Sequence, residues 1–275
     1  MNLFSLPVSN GEDKQEDRNS ALSPLAGEGW GGGYATRAVS PDPEKAPARQ
    51  PHDMTIAGAA LIADPAGALY WPEQGLLAVA DLHFEKGSSF ARRGMLLPPY
   101  DTAATLALLT ALIARYAPRV VIALGDNFHD GDGPARLGDR DHDTLRGLQR
   151  GRDWVWIAGN HDPEPADNIG GNFFAVLLVG ALTFRHEPSR KASDGEIAGH
   201  LHPAARISQR GRAIARRCFV EDGRRLVMPA LGAYTGGLNI RHHAFRAVFD
   251  ALDFRAHLLG PDRLYRFPAR RCLSD

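Results

Sequence analysis

Residues 120–130 read Val-Val-Ile-Ala-Leu-Gly-Asp-Asn-Phe-His-Asp. A short apolar run rich in β-branched side chains, Val120–Leu124, reads as a strand buried on both faces, and Gly125 is suited to the tight turn that releases the chain from it. The same grammar recurs on both sides. Upstream, the strand expected over Gly75–Ala80 ends in Asp81-Leu82-His83. Downstream, Trp154–Ala158 ends in Gly159-Asn160-His161-Asp162, Ala181–Phe184 leads into Arg185-His186, and Glu196–Ala198 leads into Gly199-His200-Leu201-His202-Pro203. Thr55–Ala63 reads as a further strand. Between Ala80 and Val120, Pro99–Tyr116 carries Leu106, Leu109, Leu112, Ile113 and Tyr116 at helical spacing. Strands alternating with a helix of this kind describe an α/β domain.

Ligands in open α/β sheets collect at the carboxyl ends of the strands, so polar residues behind five such ends can meet in space. Asp81 and His83 flank Leu82, and His200 and His202 flank Leu201. In an extended chain each pair points to one side. Carboxylate, imidazole and amide oxygen without thiolate make a donor set for Mn²⁺, Fe²⁺ or Zn²⁺. Asp81, His83, Asp126, Asn160, His186, His200 and His202 are too many donors for one tetrahedral ion. They suit two divalent ions that share a carboxylate about 3.5–4 Å apart.

Composition narrows the class. The 275 residues hold 32 Lys plus Arg and 32 Asp plus Glu, so overall charge carries no message. Its distribution does: 203–275 hold 14 Arg against 6 acids, a net of +8, beside an acidic 54–202 with a net of −5. A basic flank next to metal-type carboxylates suits a polyanion, although Arg exceeds Lys 28 to 4 throughout, so the excess also fits compositional bias. Two cysteines, Cys218 and Cys272, in no CxxC arrangement argue against a disulfide framework and for a reducing, cytoplasmic setting. No apolar run is long enough for a membrane span, and no membrane partner is expected. Residues 1–53 carry seven Leu, Val or Phe against six Gly and six Pro, which predicts a disordered extension before a catalytic domain over 54–275. Met54 stands where the ordered pattern begins, so the extension is read as dispensable, with Met54 a candidate for the true start.

The motifs DxH, GD, GNHD and GHxH, in this order and each behind an apolar run, resemble the calcineurin-like metallophosphoesterase superfamily. The resemblance spans roughly Ala80–Pro203. With Phe84-Glu85-Lys86-Gly87, the GDNFHD segment and Gly232-Ala233-Tyr234-Thr235-Gly236-Gly237-Leu238-Asn239, it is closest to the ligase-associated DNA damage response endonucleases, the PdeM-like phosphoesterases. It implies a four-layer αββα sandwich of two mixed β-sheets flanked by helices. It further implies that Asp81, His83 and His202 hold one ion and Asn160, His186 and His200 the other. By the same resemblance Asp126 would bridge them, a shared hydroxide would attack phosphorus, and His161 would assist the leaving oxygen. Asp130 stands four positions after Asp126 where the superfamily spacing is three, which leaves its role open. Asp162 is read either as orienting His161 or as a turn residue, and His129 as structural in preference to a substrate contact. Arg92, Arg93 and Asn239 are candidate substrate contacts.

The function that the resemblance implies is a dinuclear, Mn²⁺-dependent phosphodiesterase, a nuclease acting on DNA beside a repair ligase, helicase or nuclease set. A small nucleotide substrate and a noncatalytic metal-stabilised scaffold are the competing readings.

Overall fold

The computed structural model describes residues 50–275 except 167 and 192. The extension expected over 1–53 lies outside the described residues up to position 49. Residues 52 and 53 belong to the first strand, His52–Ile56.

The first sheet contains β1 (His52–Ile56), β2 (Ala59–Ala63), β3 (Leu69–Trp71), β4 (Leu76–Val79), β5 (Val120–Leu124), β6 (Asp153–Ile157) and β7 (Asn172–Phe174), side by side in chain order. β1 to β4 run antiparallel, and β4 to β7 run parallel. Parallel neighbours need long crossovers. The helices α1 (Lys86–Arg92), α2 (Asp101–Tyr116), α3 (Gly133–Arg136) and α4 (Asp139–Gln149) lie in them. The second sheet is built from β8 (Val176–Val179), β9 (Leu182–Arg185), β10 (Glu196–Ala198), β11 (Pro203–Gln209), β12 (Arg212–Glu221), β13 (Arg225–Val227) and β14 (Leu238–Asn239). β15 (Arg255–Leu259) pairs with β12, and β16 (Leu264–Pro268) pairs with β15.

Alternation along β5 shows how the layers stack. Val120, Ile122 and Leu124 enter the core shared with Phe184, Ile197, Phe219 and Leu226 of the second sheet. Val121 and Ala123 face Leu106, Leu109 and Leu112 of α2 and Leu145 of α4. The second sheet covers its outer face with Phe245 of the one-turn helix α5 (His243–Arg246), Phe249, Phe254 and the 3₁₀ turn Ala269–Arg271. The predicted sandwich of two mixed sheets is therefore present, with long helices on one outer face and short turns on the other.

Two predicted elements differ. The stretch read as one strand, Thr55–Ala63, is a hairpin in which Ala57 and Gly58 take φ of 48° and 84°. Positive φ at both central residues is the two-residue turn that matches strand twist. The helix expected from Pro99 starts at Asp101. Among the described residues no helix is long and apolar enough to cross a membrane.

Candidate metal centre and active site

The parallel strands β4, β5 and β6 of one sheet, and β9 and β10 of the other, deliver their carboxyl ends to one rim. Asp81 and His83 follow β4, Asp126 follows β5, and Asn160 and His161 follow β6. His186 leaves β9, and His200 and His202 follow β10. Hydrogen bonds continue beyond the strands, from the His83 amide to the Asp126 carbonyl at 2.9 Å and from the Gly199 amide to the His186 carbonyl at 2.9 Å.

The chain is not extended where Asp81 and His83 stand, which corrects the expected alternation. Asp81, His83, Asp126, His200 and His202 all have positive φ, between 43° and 67°. Left-handed turns, not strand pleating, aim each pair into the site. Such conformations cost about 1–3 kcal/mol each and persist where the surroundings over-determine them. Close packing does so here: a Cβ on Gly159 would lie 2.0 Å from the Asp126 amide nitrogen, one on Gly199 2.7 Å from Asp81 Oδ2, and one on Gly125 2.5 Å from the His186 ring.

The side chains form two groups that meet at one carboxylate. Asp81, His83, Asp126 and His202 can bring one donor atom each within 4.8 Å of one another, and so can Asp126, His186 and His200. His83 Nε2 stands 3.3 Å from His202 Nε2 and 3.7 Å from Asp126 Oδ2, and His202 Nε2 is 3.5 Å from Asp81 Oδ1. In the other group, His186 Nε2 lies 2.9 Å from Asn160 Oδ1, 3.1 Å from His200 Nδ1 and 3.3 Å from Asp126 Oδ1.

This donor set fits a divalent cation for a reason visible in the hydrogen bonds. His186 Nδ1 is 2.9 Å from the Leu124 carbonyl, which can only accept, so Nδ1 carries a proton and the lone pair available to a metal is the one at Nε2. That lone pair faces two further oxygen acceptors. Acceptors converging on acceptors are stable around a positive charge. Ligand imidazoles must also be neutral. Burial and the adjacent His202 push His83 down to about 2, and burial with His186 lowers His200. Burial opposes a charge on His202, but Asp81 beside it outweighs burial and raises it. The same carboxylate, although buried, is drawn below the usual range by His202, His186 and His83.

His161 borders the shared carboxylate. Its amide donates to Asp126 Oδ1 at 3.0 Å, and its Nε2 stands 3.9 Å from Asp126 Oδ2. Nδ1 donates to the His129 carbonyl at 2.8 Å, which leaves Nε2 on the open side of the ring. Asp162 does not orient this imidazole. Its Oδ2 accepts the Asn127 and Phe128 amides and the Asn127 side chain, so it braces the loop after Asp126, and burial raises it to about 7.

His129, read from sequence as structural, belongs to the site wall. Its ring stacks on His161 with centroids 5.2 Å apart and contacts Phe90 and His83 at 5.5 Å. Burial, with Lys86 and His161 nearby, lowers it to about 4. The residue carries no local motif beyond its place in GDNFHD, so no spacing rule singles it out. Asp130 turns away from the metal-type donors to Arg136, with oxygens 2.8–2.9 Å from the guanidinium.

The substrate-contact candidates fare differently. Arg92 is exposed and pairs with Asp132 at 2.9 Å. Arg93 ends α1 close enough to His129 to disfavour a charge there. Asn239 is a correction. It is buried, its amide donates to the Leu273 carbonyl and Asp275, and its oxygen accepts the Arg241 amide. Both hydrogens of its amide are spent on the chain's own C-terminal residues.

A profile of the calcineurin-like phosphoesterases matches residues 76–230, which contain every member of the two donor groups. The chain belongs to the calcineurin-like phosphoesterase family. Among solved structures, the Pseudomonas putida nuclease MPE is 27% identical with a TM-score of 0.63, covering 79% of this chain and 100% of its own. Yfce, a phosphoesterase from E. coli, is 16% identical with a TM-score of 0.35, covering 70% of this chain and 98% of its own. No curated protein shows a significant match. As a calcineurin-like phosphoesterase, the chain is a hydrolase of phosphoric esters with a possible Asp/His metal site.

Proposed function

We propose that this chain is a dinuclear, Mn²⁺-dependent phosphodiesterase that cleaves nucleic acid, a nuclease of a cytoplasmic DNA-repair setting. The observation that carries the reading is the Asp126 carboxylate common to both donor groups, with a tautomer-fixed imidazole beside it.

In this reading Asp81, His83 and His202 would hold one ion, Asn160, His186 and His200 the other, and Asp126 would be shared by both. Bound there, two divalent ions supply Lewis acidity toward the phosphate oxygens and lower the pKa of water. The chain's own groups do the rest. His161 keeps Nδ1–H on the His129 carbonyl, so a proton at Nε2 is directed to the leaving oxygen of the ester. The stacked His129, itself backed by Phe90, holds that ring against rotation. The nuclease assignment is supported by the Pseudomonas putida neighbour, which is a nuclease, and by the arginine excess of 203–275.

The test is hydrolysis of bis-p-nitrophenyl phosphate and of single-stranded DNA with Mn²⁺. Wild type should cleave both, Asp81→Asn should lose most turnover on both, and His161→Ala should lose most turnover on DNA, whose alkoxide leaving group needs the proton. Cleavage of the small diester with no action on any DNA points to a small nucleotide substrate. No cleavage with any divalent ion points to a scaffold.

A further inference from the structure

The segment Gly232–Gly237 crosses the rim of the Asp81/His202 donor group and is tied down at both ends. The Gly232 amide donates to the Asp81 carbonyl at 3.1 Å, and the Leu238 amide donates to the His202 carbonyl at 2.9 Å. Neither end tolerates bulk. A Cβ on Gly232 would lie 2.2 Å from the Leu82 carbonyl oxygen, and one on Gly237 2.6 Å from the Ala204 Cβ. Between the ends the segment is locked from below. The half-buried Arg217 donates to the Ala230 and Gly232 carbonyls at 2.7 and 3.3 Å, Thr235 donates to the Gly232 carbonyl at 2.7 Å, and Thr105 of α2 accepts the Ala233 amide at 3.0 Å.

At the crest of this braced arch stands Tyr234 with φ of 59°. An aromatic residue in the left-handed region is a genuine outlier, since any folding demand there is met at less cost by glycine. The ring contributes little to the core in return. It is 44% exposed, and among the described residues its hydroxyl makes no hydrogen bond and its ring no aromatic contact. A braced arch, whose ends bond to the backbone of Asp81 and His202, therefore carries a half-exposed aromatic ring.

We infer that Tyr234 forms a nucleobase-binding subsite, stacking on the base of a nucleotide next to the phosphodiester held at the Asp81/His202 group. The inference rests on the phosphodiesterase reading above and adds to it the class of group beyond the phosphate. Aromatic side chains stack on any base through its π-face, so the subsite recognises that a base is present and not which one. A braced backbone removes most of the ordering cost of such a contact.

The test compares two single-stranded oligonucleotides of equal length and charge. One carries 2-aminopurine, and the other an abasic tetrahydrofuran at the same position. Binding is titrated in EDTA and again with Ca²⁺. Wild type should prefer the base-bearing strand roughly 5- to 150-fold, the about 1–3 kcal/mol of a base–aromatic stack converted at about 1.4 kcal/mol per factor of ten. It should also quench the 2-aminopurine. Tyr234→Phe should retain the preference. Tyr234→Gly, which removes the ring and relieves the backbone, should abolish it, while Tyr265→Ala, at an exposed tyrosine of the β15–β16 hairpin, should not. Equal affinity of wild type for the two strands, no binding of either, or an undiminished preference in Tyr234→Gly overturns the subsite. Failure of the phosphodiesterase reading shows separately, as absence of chromogenic diester cleavage by the same wild-type preparation with Mn²⁺.

Discussion

Gly125→Ala isolates the second donor group. Gly125 has φ of +69°, and a Cβ there would lie 2.5 Å from Cγ and Nδ1 of His186, where ordinary contact begins at 3.4 Å. The ring must retreat by about 1 Å, and its Nδ1 then loses the Leu124 carbonyl that sets its tautomer. Misplacement on that scale costs about 10²-fold in rate. The left-handed backbone adds roughly 1–2 kcal/mol of destabilisation, or about 2–8 °C in Tm for a domain of this size. Gly151→Ala serves as the control, because Gly151 has φ of +73° and nothing within 4 Å of the added methyl. The assay is kcat/KM on bis-p-nitrophenyl phosphate with Mn²⁺, beside metal content and Tm. Gly125→Ala should lose about 100-fold in kcat/KM and release one ion at Mn²⁺ concentrations that saturate wild type, with Gly151→Ala losing stability alone. Activity within threefold of wild type at unchanged metal content, or an equal activity loss in Gly151→Ala, refutes the reasoning.

Asp126→Ala should empty both ion positions together, because its carboxylate belongs to both groups; elemental analysis that still finds two ions contradicts the shared role. His161→Ala should lower kcat on a poor alkoxide leaving group by about 10²-fold or more and leave metal content intact, whereas an activated p-nitrophenolate should need the imidazole less; an equal loss on both substrates removes the leaving-group role. Asp130 is opposed by its partial burial, but Arg136 and Ser89 hold it down to about 2 from its ordinary 3.8. Since the folded value is the lower one, the stabilisation is present above 3.8 and lost as pH falls through about 2. Asp130→Asn should therefore lower the urea midpoint above pH 4 and converge with wild type toward pH 2; a difference independent of pH contradicts that linkage.

Much of the core was legible because β5 and β6 are short apolar runs that end in glycine, and every metal-type residue named from sequence stands at the rim where the two sheets meet. What escaped has a physical origin in each case. Ala57-Gly58 does not carry the Asn-Gly or Asp-Gly signature of its turn, so a hairpin read as one strand. The left-handed backbone of Asp81, His83, His200 and His202 leaves no trace in a hydrophobic pattern, although Asp and His are among the residues that tolerate it. His129 reached the site because Phe84 and Phe128 continue the β4–β5 ladder past the strands, and its carbonyl, an atom common to every residue, does the positioning. Asn239 looked like a site residue through its Gly-rich neighbourhood; its partners, Leu273 and Asp275, lie too far along the chain for any local pattern to reveal.

Electron paramagnetic resonance of the protein reconstituted with Mn²⁺, quantified against its metal content, tests the shared-carboxylate centre most directly. Two Mn²⁺ per chain with the closely spaced multiline spectrum of an exchange-coupled pair, collapsing in Asp126→Ala, is the predicted result. One Mn²⁺ per chain, or two with the simple hyperfine pattern of isolated ions, would contradict it.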